Sequence, residues 1–261
     1  MNPIKPVLQI EPTDFCNLAC AMCSPQKSGK PHGNVKPGFM AFDLYKKIIH
    51  GIAKRGPDLD HMILQWLGEP TLHPQWLDML ETAIREAGHR FGYFRVDTNA
   101  VLLDHDASIR LCRIARDNPG RPIVLIFSLD AATRDTYIKL KGKDRFEQVV
   151  SNIEDFLRLR KEKVNPAESP LNVQFQLVLQ QGNAHEVRAF IDKWDGFLFD
   201  LGSSDTYDTI MIKRLAVGTG GQGQRQADLL YEKTISRLGL RPGKLGACRL
   251  ELWLDRPWEE E

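Results

Sequence analysis

Between residues 7 and 212, short apolar segments of strand length alternate with amphipathic segments of helical length, and this alternation limits the possible folds more than any other feature. Val7 to Glu11 (VLQIE), Met62 to Trp66, Tyr93 to Thr98, Pro122 to Leu129, Leu171 to Leu179 and Thr209 to Ile212 read as strands. Phe42 to Arg55, Gln75 to Glu86, Ala107 to Arg116, Arg145 to Lys161 and Ala184 to Trp194 read as helices. In the first helix Leu44, Ile48, Ile49 and Ile52 recur at helical spacing, and Gly56-Pro57 ends the pattern. The strand Pro122 to Leu129 (PIVLIFSL) is almost continuously apolar, as expected of a strand buried on both faces in a parallel sheet. Six strands alternating with five helices predict an α/β fold of parallel strands joined by crossover helices. Six units are too few for a closed eight-stranded barrel and suit an open, partial one. After Lys213 the alternation fails. Gly-rich GTGGQGQ (Gly218 to Gln224), read as a flexible loop because it lacks the spacing and GK[ST] ending of a P-loop, leads to a helix at Ala227 to Leu238 and an irregular tail. A boundary near Leu215 therefore separates a core domain, 1–215, from an extension, 216–261.

The segment Cys16-Asn-Leu-Ala-Cys20-Ala-Met-Cys23 places three thiols within eight residues, on the loop that follows the first strand. The N-terminal MNPIKPVLQI has no apolar core of signal-peptide length, and the longest clean apolar run is Ile123 to Phe127. The expectation is a soluble, cytoplasmic protein without a membrane segment. There, the five cysteines are expected to be ligands or free thiols, and an odd number cannot pair completely. A closed zinc site wants four protein ligands, usually from two CxxC pairs, and the second pair is missing. Cys112 lies in a helical pattern between Leu111 and Ile114, as a small buried hydrophobe does, and Cys248 has no thiol or imidazole nearby in sequence. Three close thiols instead suit a [4Fe-4S] cluster with one iron left free of protein. The 35 basic and 34 acidic residues nearly cancel, which gives no electrostatic footprint for nucleic acid or a membrane surface. The basic run Arg158 to Lys163 (RLRKEK) reads as a solvated helix end, where cations suit the dipole.

Cys16-x3-Cys20-x2-Cys23 after the first strand resembles the cluster motif of the radical S-adenosylmethionine (SAM) enzymes. Gly68-Glu69-Pro70 after the second strand resembles the family's GGEP segment, with Leu67 in place of the first glycine. Thr98-Asn99-Ala100 is similar to its TNG turn, and Ser128-Leu129-Asp130 to its SxD. All four stand at the C-terminal ends of strands, the edge where parallel α/β folds bind ligands. Each also has a plainer reading: Glu69 as a solvated loop acid, Thr98-Asn99 as a turn cap, and Ser128 and Asp130 as a helix N-cap. Residues 128–160 and the pair Asn183 and Glu186 are similar to the SPASM/twitch branch of the family, so the resemblance spans about residues 5–215.

The resemblance implies a partial (β/α)6 TIM-like barrel, a [4Fe-4S] cluster and SAM. It implies that Cys16, Cys20 and Cys23 ligate iron, and that Gly68, Glu69 and Pro70 meet the SAM amino group. Ser128 and Asp130 are carried over for the carboxylate or ribose, with Asn99 beside them and Met22 near adenine. The implied chemistry is one-electron cleavage of SAM to a 5′-deoxyadenosyl radical, which abstracts hydrogen from a peptide or small polar metabolite after reduction by a donor such as flavodoxin or ferredoxin. In the SPASM/twitch branch the chain beyond the barrel supplies cysteines for auxiliary clusters. Here Cys248 alone resembles such a ligand, so the tail is truncated, degenerate or carries a plain thiol, and a redox-neutral reaction competes with an oxidative one. Asp205, Tyr207, Asp208, Lys213 and Arg214 flank the last strand, either reaching into the barrel or solvated. The alternatives from other classes are a non-catalytic iron–sulfur or zinc protein, and a SAM-binding partner protein that keeps the fold.

Overall fold

The structure is a computed structural model and describes residues 5–23, 38–201, 207–216, 222–241, 243–245 and 250–254. Its first six strands are β1 (Leu8–Gln9), β2 (Leu59–Ile63), β3 (Phe91–Thr98), β4 (Ile123–Ser128), β5 (Leu171–Leu179) and β6 (Thr209–Arg214). They lie side by side in chain order, every neighbouring pair parallel. Parallel neighbours need crossovers. These are α1 (Phe42–Arg55), α2 (Trp76–Ala87), α3 (His105–Asp117), the pair α4 (Arg134–Lys141) and α5 (Phe146–Lys163), and α6 (Val187–Leu201). The sheet begins at β1 and ends beyond β6 without closing on itself, which is the partial barrel of parallel strands that the alternation predicts. Among the described residues no helix is long and apolar enough to cross a membrane.

The period of two along each strand divides the sheet into a helix-facing side and a concave side. Ile123, Leu125 and Phe127 of β4, Val173, Phe175 and Leu177 of β5, and Ile210 and Ile212 of β6 are all fully buried. Phe175 stacks on Trp194 of α6 at 4.5 Å and meets Phe127 at 5.5 Å, and Phe127 packs edge-on to Phe156 of α5. The alternate positions of β3 to β6 carry Arg95, Asp97, Ser128, Asn172, Gln174, Gln176 and Thr209. An apolar outer face seals the helices to the sheet, and a mixed inner face, where these polar groups stand beside Val124, Ile126 and Met211, is left for ligands.

Several elements depart from the sequence reading. The second strand runs over Leu59–Ile63 rather than Met62 to Trp66, because pairing with β3 begins at Leu59 and Phe91; the residues after it form a loop. α4 was not expected. Thr133 caps its start, accepting from the Thr136 amide, and Gly142 ends it at φ 72°, so Ser128 and Asp130 do not cap a helix. The helix expected at Ala227 to Leu238 is present as α7 and begins earlier (Gln222–Arg237), and the tail expected to be irregular contains two strands, β7 (Gly243–Leu245) and β8 (Leu250–Leu254). β8 runs parallel to β6 and antiparallel to β7, so the extension continues the same sheet. Of GTGGQGQ, Gln222 to Gln224 form the first turn of α7, and the rest, like Asp205 and Cys248, lies outside the described residues.

The basic run at 158–163 is also not uniformly solvated. Arg160 is buried, 3 % exposed, and pairs through both terminal nitrogens with Asp208 at 2.8 and 2.7 Å. It also donates to the Leu171 carbonyl, and Asp208 accepts from the Val173 amide, so the pair fastens α5 to the start of β5 and β6.

Candidate active site

The three thiols sit on a loop docked against the end of α4. Ile10 donates to Ile63 and prolongs the pairing of β1 with β2 by one residue before Pro12 turns the chain away. The hydroxyl of Thr13 donates to the Gly38 carbonyl, and the Asp14 carboxylate accepts from the Gly38 amide. The amides of Ala19 and Ala21 donate to the carbonyls of Lys141 and Leu140 at 3.0 and 2.8 Å. Those carbonyls end α4 and have no partner within the helix, so the loop completes the helix and the helix holds the loop. A Cβ on Gly142 would lie 2.5 Å from the Ala19 carbonyl oxygen, so the close approach needs glycine as much as the left-handed backbone does. Burial pushes the Cys16 thiol up to about 11, and burial also raises Cys20, against the opposing pull of Lys141.

Glu69 follows β2 and is 4 % exposed. Its Oε1 accepts from the Thr71 amide and hydroxyl and from the Thr98 hydroxyl, the last two at 2.7 Å; its Oε2 accepts from the Asn99 amide at 2.8 Å. Burial raises its pKa, and the bonds from Thr71, Asn99 and Thr98 oppose that rise. It is no solvated loop acid. Pro70 opens the short helix Pro70–Leu72, where its missing N–H costs nothing, and is not among the residues that line the cavity with Glu69. Asn99 ties the two loops together: its amide nitrogen donates to the Asn17 side chain at 2.7 Å and lies 4.0 Å from the Cys16 sulfur. Thr98 and Asn99 also bond the Ala100 and Val101 amides, so the same two residues cap the turn and hold Glu69. Ala100 stands where glycine would be easier, at φ 59°, held by Asn152 on its carbonyl.

At the end of β4, Asp130 and Lys141 form a buried pair at 2.6 Å. The other Asp130 oxygen accepts from the Val178 amide at 2.7 Å. Burial alone would lower Lys141, but Asp130 and Cys20 outweigh it and hold the ammonium above the ordinary lysine range. Asn183 donates to the carbonyls of Asp130 and Val178, joining the ends of β4 and β5. Glu186 accepts from the amides of Ala132 and Thr133 and from the hydroxyls of Thr133 and Thr136, which fixes the start of α4. Burial would raise the Glu186 carboxyl, yet the bonds from Thr133, Thr136 and Ala132 leave it below its ordinary value. A depressed folded pKa means that the unfolded chain binds the proton first as pH falls. The stabilisation is therefore complete above the unfolded value and lost as pH drops through the folded one. Glu186→Gln is expected to cost about 1–3 kcal/mol at pH 7, with the difference in melting temperature from the parent closing as pH falls through the carboxylate range.

These elements enclose a cavity of about 210 Å³ at the C-terminal edge of the sheet. Cys16, Cys20, Cys23, Met22, Gly68, Glu69, Asn99, Ser128 and Asp130 all line it. Met22 accepts a 3.3 Å contact from the Gln180 amide across the site. Lys141 and Gln176 also line it and were not singled out in the sequence, although a lysine just before the Gly142 helix stop is a position that ends beside whatever loop caps the helix. A second cavity, about 400 Å³, lies along the concave face and shares Gln176 with the first. Tyr93, Arg95, Asn172, Gln174, Tyr207 and Lys213 are on its wall. Arg95 is gripped by Asp97 through two 2.6 Å bonds. Of the polar and charged residues flanking β6, Asp208 belongs to the Arg160 pair and Arg214 to Glu232 and the Tyr231 ring, while Tyr207 and Lys213 line the concave cavity. Cys112 is buried in α3, and its thiol is pushed up to about 11 by burial.

An open parallel barrel with three thiols, a buried acid and a cation around one cavity at its C-terminal edge defines a cofactor-binding α/β enzyme core. The model of the Radical SAM superfamily matches residues 10–166, and the chain belongs to the radical SAM superfamily. Membership of this superfamily supports SAM and a [4Fe-4S] cluster as the cofactors of this chain. The tungsten-containing aldehyde ferredoxin oxidoreductase cofactor-modifying protein of Pyrococcus furiosus is 32% identical over 123 residues, which are 47% of this chain and 30% of that protein. The structure of native anSMEcpe with bound AdoMet and Cp18Cys peptide superposes with a TM-score of 0.62 at 17% identity, over 90% of this chain and 59% of that one. A radical SAM methyltransferase from Sphaerobacter thermophilus gives 0.54 at 15% identity, over 96% of this chain and 67% of that one. The two structural likenesses show the fold. This chain thus spans less than a third of the curated relative and about three fifths of the anSMEcpe chain.

Proposed function

We propose that Cys16, Cys20 and Cys23 hold the cluster, that Glu69 accepts from the amino group of SAM, and that the enzyme acts on a peptide or small polar metabolite. The observation that carries this reading is the single cavity lined by all three thiols together with Glu69, Asn99 and Ser128. The donor set fits the cluster: three thiols line one cavity, which suits a cluster that keeps one iron free of protein, whereas a closed zinc site wants four protein ligands. When bound, the cluster and SAM supply one-electron cleavage of the sulfonium and a 5′-deoxyadenosyl radical that takes hydrogen from an unactivated carbon.

The chain's own groups bind, orient and exclude water. Glu69 presents acceptors from a buried position fixed by four hydrogen bonds, so little reorganisation is needed when the amino group arrives. Lys141 is the one cation lining the cavity among the described residues, and it suits the SAM carboxylate. Asp130, with both oxygens already bonded, serves by holding Lys141 and the β5 end in place. Met22 offers a polarisable surface to the adenine. Asn99 keeps the cluster loop and Glu69 in register. The second cavity supports a polar substrate, since Asn172, Gln174 and Gln176 place amides on its wall, with Gln176 at the border of the cofactor cavity. The name of the Pyrococcus furiosus relative supports a second substrate class, a cofactor undergoing modification. Reduction would come from a donor such as flavodoxin or ferredoxin.

Anaerobic reconstitution is expected to load close to one four-iron cluster per chain. With Cys112 packed inside α3, the cysteines left for a second cluster are too few. Changing Cys16, Cys20 and Cys23 together to Ala should remove the iron and the cluster absorbance. Full retention of iron in that variant would place the ligands elsewhere, and a second cluster in the parent protein would overturn the single-cluster reading.

A further inference from the structure

We propose that Glu11, just beyond the first strand, is a positioning residue that aims the backbone carbonyl of Leu67 at the amino group of SAM, beside the Gly68 carbonyl that Phe15 aims through the Glu69 amide. This rests on the assignment of the Glu69 cavity to SAM made above. One oxygen of Glu11 accepts from two successive amides, Leu67 at 2.7 Å and Gly68 at 3.0 Å. The next amide, that of Glu69, donates to the Phe15 carbonyl at 2.8 Å. Three consecutive amides of the loop after β2 are thus turned toward the segment that leads into Cys16.

Peptide planarity converts this into a statement about the carbonyls. No peptide bond among the described residues is cis, and in a trans peptide the C=O points opposite to the N–H. Fixing the Gly68 and Glu69 amides on Glu11 and Phe15 turns the Leu67 and Gly68 oxygens away from that segment. Leu67, Gly68 and Glu69 all line the cofactor cavity. An amino group is rich in donors, and the site meets it with acceptors whose directions are set in advance. Charge-assisted bonds to a carboxylate are the strong kind, and Pro12 holds Glu11 itself in extended backbone.

The same clamp explains Leu67. Neither Leu67 nor Gly68 has a positive φ, so the loop does not use glycine's conformational freedom. Its shape comes from the Glu11 oxygen and from the close contact of Gly68 with Thr13, and a leucine is compatible with that at position 67.

The test compares Glu11→Ala and Glu11→Gln in the full chain with its cluster reconstituted, measuring SAM affinity by equilibrium dialysis and iron on the same samples. The alanine variant is expected to keep its iron and to bind SAM about tenfold or more weakly. Glutamine, whose oxygen can accept from both amides, is expected to stay within about threefold of the parent. Alanine binding at parental affinity would overturn the assignment, and so would glutamine failing as badly as alanine. Amide hydrogen exchange of the parent protein covers the case in which Glu11→Ala does not fold. The Leu67 and Gly68 amides should be protected before SAM is added, and fast exchange that slows only with SAM would overturn the proposal. If the parent binds no SAM at all, the functional assignment fails, while the exchange result still reports whether Glu11 holds the loop.

Discussion

Gly68→Ala is expected to weaken SAM binding by roughly a hundredfold or more and to lower the melting temperature by several degrees. The added methyl would lie 1.9 Å from the Thr13 carbonyl oxygen, 2.7 Å from its carbon and 2.9 Å from the Asp14 Cα, all backbone atoms. Overpacking typically costs about 1–3 kcal/mol even where a side chain can yield, and here none stands in the way to do so. The loop carrying Glu69 must move off the segment leading to Cys16, which breaks the bond from the Glu69 amide to Phe15 and disturbs both halves of the site. Gly51 and Gly196 are the controls. Both are in helices with nothing within 4 Å of an added Cβ, so alanine there should stabilise by about 0.5–1 kcal/mol. Dialysis with SAM and thermal melting of the three variants separate the contact at Gly68 from a general intolerance of substitution.

Arg160→Met is expected to be the most destabilising side-chain change outside the site, by about 3–5 kcal/mol, or on the order of 10 °C in melting temperature for a chain of this size. It would leave Asp208 buried and without its guanidinium, beside the Val173 amide at the start of β5. The double variant Arg160→Met/Asp208→Leu should recover much of that loss, because replacing a buried pair with apolar groups of similar volume is often neutral. The pair sits at the N-terminal ends of β5 and β6, opposite the thiols, so iron content per folded molecule should not change. A fall in iron alongside normal stability would contradict this division of labour.

What was legible in the sequence and what was not follows from the range of the interactions. The outer-face strands and helices are written locally, in runs such as Ile123 to Phe127 and in the spacing of Ile48, Ile49 and Ile52. The site segments were legible because the chain turns at each strand end, so Cys16, Glu69, Asn99 and Ser128 reach one edge once the sheet is parallel. α4 was missed because it is short and its buried apolar residues are only Tyr137 and Leu140; its caps, Thr133 and Gly142, were the signal available. Arg160 was misread because its partner lies 48 positions away, and a basic run at a helix end looks the same whether or not one member turns inward. Glu11 and Lys141 act across loops with bonds that span 56 and 11 positions, and neither position announces them by composition. The tail strands were missed because β7 has three residues and β8 finds its partner in β6, on the far side of α7.

If the thiol-lined cavity binds SAM beside a cluster, electrons delivered there should cleave it. The most direct measurement is 5′-deoxyadenosine formation, followed by chromatography after anaerobic reconstitution and addition of SAM and a strong one-electron reductant. The 5′-deoxyadenosine should appear with the parent protein and be abolished in the variant lacking Cys16, Cys20 and Cys23. A fully loaded, reduced cluster with SAM bound and no 5′-deoxyadenosine formed, or its undiminished formation without those three thiols, would contradict this assignment of the cavity.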